Sequence, residues 1–138
     1  MAPPAAAVPI DPAAEAGQLA DLFNSLSQAL DDFRLGDRVP PIPDDQLARL
    51  KDEAQALEDR AHYFTAQAIG ATLQSIQSDL TNIKAVTAQA KAQLVVLNDV
   101  SKAISIATSA LSLGTAIAAG NPASIAAAAE ALAQTLTG

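Results

Sequence analysis

Residues 103–129 read AISIATSALSLGTAIAAGNPASIAAAA, a stretch of 27 residues without a single charged side chain. The acidic residues lie mainly before it, because residues 1–60 hold 12 Asp and Glu against 5 Lys and Arg, while residues 61–138 hold 3 of each sign. A segment of this length without charges is expected to be kept from water by the rest of the fold, by other copies of the chain or by lipid. The segment therefore decides both the fold and the interactions that we predict.

The composition limits the chain to one domain of 138 residues, half of them apolar, with an Ala-rich core and few aromatic residues. A net charge of −7 and scattered basic residues argue against nucleic-acid binding. Without cysteine, the chain has neither a disulfide framework nor a thiolate metal site. The first residues lack the basic and apolar regions of a Sec-type signal peptide. We expect a cytoplasmic protein, or one exported without such a signal, and not a resident multi-span membrane protein.

Two helices are predicted in the acidic half of the chain. The first covers residues 12–35, because the Asp-Pro pair at 11–12 suits a helix start and Gly36 suits a helix end. The second covers residues 44–69, whose apolar positions follow the alternating 3- and 4-residue steps of a coiled coil. The short Pro-rich connector between them favours antiparallel packing. Residues 1–11, rich in Pro and Ala, are predicted to be disordered.

A glycine and a capping pair divide the middle of the chain. Gly70 interrupts the apolar stripe, and the Asn-Asp pair at 98–99 can cap a new helix, so helices are predicted over 71–97 and 100–119. The sequence leaves open whether residues 44–119 form one continuous helix, which would be about 115 Å long.

The end of the chain is predicted to form a helical hairpin. The Gly-Asn-Pro sequence at 120–122 marks a turn, and the last helix covers residues 122–136. The predicted fold is all-α, an elongated bundle of four to five helices in a single domain over 12–138, with a long central helix and an apolar C-terminal hairpin. The predicted core comprises Leu22, Leu26, Leu50, Leu57, Phe64, Leu73, Ile76, Leu80, Ile83, Leu94, Leu97 and Ile104.

The residues that could carry chemistry form no catalytic or ligand-binding motif. His62, the only histidine, follows Glu58 at the spacing of half a carboxylate–histidine metal site, but no second copy exists. Adjacent carboxylates, such as those at 58–59, point about 100° apart on a helix and do not converge. The Ser and Thr residues lack a nearby base and an oxyanion hole. We therefore predict no enzymatic activity, no cofactor and no metal.

The hairpin is the predicted interaction surface. Beyond residue 94 apolar residues occur on every side of the predicted helix, and Ala110, Gly114 and Ala118 form a row of small residues that allows close helix approach. The predicted membrane or partner contacts are Ile104, Ile106, Ala110, Leu111, Leu113, Gly114, Ile117, Ala118, Ile125 and Leu132.

Three interpretations of the hairpin remain open at the level of sequence. Amphipathic helices followed by a charge-free hairpin resemble the layout of α-helical pore-forming proteins, which implies insertion into a lipid membrane from a soluble state, as an oligomer. Since residues 103–119 fall short of the roughly 20 apolar residues of a spanning helix, shallow or conditional insertion is favoured. Alternatively, a soluble structural or adaptor protein buries the hairpin in a homo-oligomer or against a helical protein partner. The third interpretation is an Ala-rich core helix covered by the first two helices.

Overall fold

The computed structural model describes residues 11–36 and 41–137, which form six α-helices and, within those ranges, no β-strand. The predicted all-α class is confirmed, although the described residues form six helices where four to five were predicted. The predicted disorder of residues 1–11 lies outside the described residues, except at Asp11. The helices are α1 (Pro12–Leu35), α2 (Asp44–Tyr63), α3 (Ala66–Ser75), α4 (Leu80–Val96), α5 (Val100–Ala119) and α6 (Pro122–Thr137).

The helices predicted from capping residues begin and end close to the predicted positions. The Asp11 carboxylate accepts a hydrogen bond from the backbone N–H of Ala13 at 3.1 Å, which caps α1. At the other end of the chain, Gly120 adopts φ 81°, a left-handed conformation that ends α5 and that glycine adopts without strain. The Asn121 side chain then accepts from the backbone N–H of Ala123 at 3.0 Å and starts α6.

The predicted helix over 44–69 is wrong at its C-terminal end, because α2 stops earlier and the chain leaves the helix at Phe64. The Phe64 ring is buried against Phe23, with ring centroids 5.0 Å apart in an edge-to-face arrangement. Thr65 then caps α3, since its hydroxyl accepts from the backbone N–H of Ala68 at 3.2 Å. An aromatic contact in the core and a threonine cap therefore set this break.

The next break lies between α3 and α4 and not at Gly70. Gly70 is inside α3 and close to the start of α1, since a methyl group added to its Cα would lie 3.4 Å from Pro12 Cβ. The predicted helix over 71–97 is divided by a tight turn, in which the Asp79 N–H donates to the Ile76 carbonyl at 2.8 Å. As α1, with 24 residues, is the longest of the six helices, the predicted long central helix is wrong.

Contacts between side chains establish the directions of α1 and α2. Phe23 meets Phe64, just beyond the end of α2, while Ser27 Oγ donates to the Ala54 carbonyl at 2.7 Å. Positions further along α1 therefore meet earlier positions of α2, so the two helices pack antiparallel, as predicted. This hydrogen bond also satisfies the buried Ser27 hydroxyl, so its oxygen is not left without a partner.

The charge-free helix α5 lies at the centre of the packing. It runs parallel to α2, since Thr108 Oγ1 donates to Glu53 Oε2 at 3.1 Å and Arg60 Nε donates to Thr115 Oγ1 at 3.5 Å, both contacts joining residues 55 positions apart. It also contacts α1, α3, α4 and α6, so that it touches every other described helix. Helix α5 therefore has the position of a core helix.

Most of the predicted core residues are buried. Three of the twelve are only half-buried: Leu22 lines an open groove between α1 and α4, Leu97 follows the end of α4, and Ile104 lies at the flank of α5. These three residues are partly exposed because burial depends on how the helices pack against one another. The spacing of apolar residues along the sequence does not specify that packing. The buried predicted residues are Leu26, Leu50, Leu57, Phe64, Leu73, Ile76, Leu80, Ile83 and Leu94.

The start of α5 provides a test of the capping interactions. Asp99 accepts hydrogen bonds from the backbone N–H groups of Ser101 (2.9 Å) and Lys102 (3.3 Å), so Asp99→Ala should lower the free energy of unfolding by about 1 kcal/mol. Asp79 precedes α4 without a capping hydrogen bond, and Asp79→Ala is the matched control with a smaller loss. Urea unfolding followed by circular dichroism measures both, and equal losses would contradict the assignment.

Candidate functional site

The C-terminal hairpin, defined here as α5 and α6, is the segment with unusual chemistry. Among the described helices, α5 alone is long and apolar enough to cross a membrane, with 20 residues and a mean hydropathy of 1.3. A single such helix is not the pattern of a multi-span membrane protein. In its most apolar window 44% of the residues are buried in the fold, and a core helix of a soluble protein passes the same test of length and composition. The inner and outer faces of the hairpin therefore have different surroundings.

The inner face of the hairpin is part of the hydrophobic core. Of the ten predicted interaction residues, Ile104, Leu111 and Ala118 are half-buried and the other seven are buried. The surface proposed from sequence is thus largely occupied by the rest of this chain. The seven buried residues are Ile106, Ala110, Leu113, Gly114, Ile117, Ile125 and Leu132.

The closest approach on the inner face involves Gly114. A methyl group added to its Cα would lie 2.7 Å from Phe23 Cε2, well inside the ordinary contact distance of two carbon atoms. The same Phe23 ring packs edge-to-face on Phe64, so one aromatic side chain joins α1, α5 and the end of α2. The row of small residues predicted from sequence therefore has a contact inside the fold at Gly114.

The outer face of the hairpin carries hydroxyl groups and alanine, where most surface helices carry charges. The expectation that α5 is apolar on every side is therefore wrong. The hydroxyl residues on the outer face of α5 repeat at steps of 4, 3, 4 and 3, which places them on one side of the helix. These exposed α5 residues are Ser101, Ser105, Thr108, Ser112 and Thr115.

A shallow groove runs along this outer face between α5 and α6. It has a volume of about 500 Å³, no charged residue lines it, and the half-buried Leu111 and Ala128 lie in it. Ser112 and Thr115 line it from α5, and Ser124 lines it from α6. We call this surface the outer groove. It is an uncharged surface that the fold leaves open.

A buried carboxylate joins the hairpin to the acidic half of the chain. Glu53, on α2, is 9% exposed and accepts hydrogen bonds from Arg49 Nε at 3.0 Å and from Thr108 Oγ1 at 3.1 Å. Charge and hydrogen bonds thus compensate the burial of this group. Together with the longer Arg60–Thr115 contact, this is the polar connection between α2 and α5.

The far ends of the hairpin are joined by further polar contacts. Lys102, at the start of α5, donates to the Thr135 carbonyl of α6, and Ser109 Oγ lies 3.0 Å from Thr135 Oγ1. Gln93 of α4 donates to the Leu136 carbonyl at 2.8 Å, which fixes the end of α6 to α4.

The single histidine lies apart from the hairpin. His62 is exposed on α2, with its Nε2 4.0 Å from Glu58 Oε1. Within residues 11–36 and 41–137, no three His, Asp or Glu side chains are grouped as metal ligands would be.

The outer groove was missed at the level of sequence. The hydroxyl residues of α5 were interpreted as groups that bond within or between packed helices, and two of them do so, since Thr115 donates to the Leu111 carbonyl at 2.9 Å and Thr108 to Glu53. Their 4-3-4-3 spacing was the signal for a separate outward face.

No family model, no curated protein and no solved structure matches this chain.

The contact between Gly114 and Phe23 can be tested by adding one methyl group. Gly114→Ala should lower the free energy of unfolding by about 1–3 kcal/mol, because the overlap with Phe23 exceeds the gain in helix propensity. Gly17→Ala is the matched control: no atom lies within 4 Å of the added methyl group on this exposed position of α1, so stability should rise by about 0.5–1 kcal/mol.

A second substitution tests whether the Phe23 ring causes the loss of stability in Gly114→Ala. In a Phe23→Leu background, Gly114→Ala should be much less destabilising, because the shorter side chain leaves room for the methyl group. Thermal unfolding of the four variants of this cycle gives the coupling energy, and additive effects would contradict a direct contact.

Proposed function

We propose that the chain is a non-enzymatic helical protein that holds the C-terminal hairpin in a soluble fold and associates with or inserts into membranes through it. The observation that carries the proposal is the absence of charge from residues 103–129 on the outer face as well as the inner one. A helix that only covers a soluble core commonly carries charged residues towards water. Helix α5 has hydroxyl groups and alanine there instead.

The absence of charge lowers the cost of transfer into lipid. Each Asp, Lys or Arg at the centre of a membrane helix costs about 2.5–3.5 kcal/mol on insertion scales, and α5 has none after Lys102. Its hydroxyl groups can bond to the helix itself, as Thr115 does to the Leu111 carbonyl at 2.9 Å. With 20 residues, α5 is about 30 Å long, close to the thickness of the hydrocarbon layer.

Helix α6 is less suited to cross the layer. It has 16 residues, or about 24 Å, and carries the exposed Glu130 near its middle. We expect α6 to remain at the membrane surface while α5 enters more deeply. Shallow or conditional insertion of the pore-forming type, with several copies assembling in the membrane, fits this asymmetry.

The contacts that hold α5 in the soluble fold are mainly apolar. Hydrocarbon tails can replace the contacts of buried side chains such as Ile106, Leu113 and Ile117. Among the described residues, the polar connections to α2 are limited to Thr108 with Glu53 and Thr115 with Arg60. Leaving the fold therefore exposes apolar surface that lipid can cover, and few polar groups lose their partners.

A second candidate is a soluble structural or adaptor protein in which the hairpin keeps its place in the core. The outer groove favours it, because an uncharged groove between two helices can accept another protein surface. In this case the interacting residues are those of the outer face and not the buried ones. A cytoplasmic location, or export without a Sec-type signal, suits either candidate.

Flotation with phosphatidylcholine vesicles tests the membrane proposal. At neutral pH, at acidic pH or at both, the protein should rise with the vesicles in a density gradient. Ser112→Lys places a charge on the exposed face of α5, where the soluble fold tolerates it, and should reduce flotation strongly because of the cost of about 2.5–3.5 kcal/mol in lipid.

Gln89→Lys, at an exposed position of α4, adds the same charge outside the hairpin and should float like the unchanged protein. Protein that stays at the bottom of the gradient at both pH values excludes the membrane proposal. Equal flotation of the two lysine variants excludes insertion of α5 and leaves only surface adsorption.

A further inference from the structure

We propose that, in solution, two copies of this chain pair through the outer groove and the hydroxyl face of α5 that borders it. The proposal names the partner for the groove that favours the second candidate function, and it does not require membrane association. It rests on the shape of the groove, on the distribution of charge over the surface and on the area available.

The groove is open and chemically uniform. Its volume of about 500 Å³ lies between α5 and α6, and its lining includes the half-buried Leu111 and the exposed Ser112, Thr115 and Ser124. Small side chains allow the helices of two chains to approach closely, and hydroxyl groups both donate and accept hydrogen bonds across such a contact. A twofold interface requires a self-complementary surface, and groups that both donate and accept meet this requirement for hydrogen bonding.

The charge distribution selects a second copy as the occupant. Each chain carries a net charge of −7, with the acidic excess on residues 1–60, so two copies that approach through α1 or α2 bring like charges together. Approach through the outer groove places the uncharged residues 103–129 of both copies in contact. The lining of the groove itself carries no charge, and the charged side chains of α2 next to it, Glu53 and Arg60, contact its lining residues Thr108 and Thr115.

The area of the face predicts a reversible dimer. Two adjacent helices about 24–30 Å long and about 10 Å apart present a face of roughly 500–600 Å² per copy. The pair would bury roughly 1,000–1,200 Å², which is at the lower limit for specific protein complexes. We therefore expect a monomer–dimer equilibrium that depends on protein concentration, and not a permanent dimer.

The test is sedimentation velocity over about a hundredfold range of concentration in buffer without lipid. The unchanged protein should pass from the 14.0 kDa chain mass towards twice that mass as the concentration rises. The double variant Ser112→Asp with Ser124→Asp puts four negative charges into the pair and should weaken dimerisation by more than about tenfold. The control Gln89→Asp with Ala92→Asp adds the same charge to exposed positions of α4 and should dimerise like the unchanged protein.

Single introduced cysteines locate the contact between the two copies, because the chain has no cysteine of its own. Under mild oxidation, Ser112→Cys or Ser124→Cys should form a disulfide-linked dimer faster than Gln89→Cys. A monomer at every concentration overturns the proposal, and so does a dimer that both aspartate pairs leave unchanged. A monomer that floats with vesicles also overturns it, since lipid would then cover this face, while the membrane proposal would stand.

Discussion

The structure depends on the close approach of α5 to α1 at Gly114, where the helix backbone lies against the Phe23 ring. A single methyl group at this position would come within 2.7 Å of Phe23 Cε2, so the two helices can pack at this distance because residue 114 has no side chain. The same ring contacts Phe64, and this contact places the end of α2. In a chain with three phenylalanines and no tryptophan, these two rings are among the few aromatic side chains in the core. The remaining packing comes from many small aliphatic contacts.

Local signals predicted the outer parts of the fold well. The Asp11-Pro12 start of α1 and the Gly120-Asn121 turn depend on nearby backbone groups, and the sequence shows such groups directly. The breaks on either side of α3 were misplaced, because Phe64 leaves the helix to meet a residue 41 positions earlier in the chain. Gly70 interrupts the apolar stripe and predicts a break, yet it lies inside α3, close to the start of α1. Such long-range contacts are not visible in the spacing of apolar residues.

The sequence predicts the hairpin as an interaction surface, but it does not predict which face of the hairpin stays exposed. The sequence predicts a charge-free segment that is apolar on every side, whereas the exposed positions of α5 hold serine and threonine at regular helical steps. Uncharged hydroxyl groups satisfy part of their hydrogen bonding within the helix, so they are compatible with water, with another protein and with lipid. The residues predicted to make the interaction, such as Ile106 and Leu113, are used for the core of this chain. Membrane association and the pairing of two copies therefore both depend on what the outer face contacts. They also depend on how firmly α5 is held in the soluble fold.

Native-state amide hydrogen exchange measures directly how firmly α5 is held. If α5 is the central core helix, the backbone amides of its buried residues, for example Leu113 and Ile117, should exchange in buffer without lipid only through global unfolding. Their opening free energies should then equal the free energy of unfolding from urea titration. Exchange of these amides as fast as in an unstructured peptide, while α1 and α2 remain protected, would contradict the account.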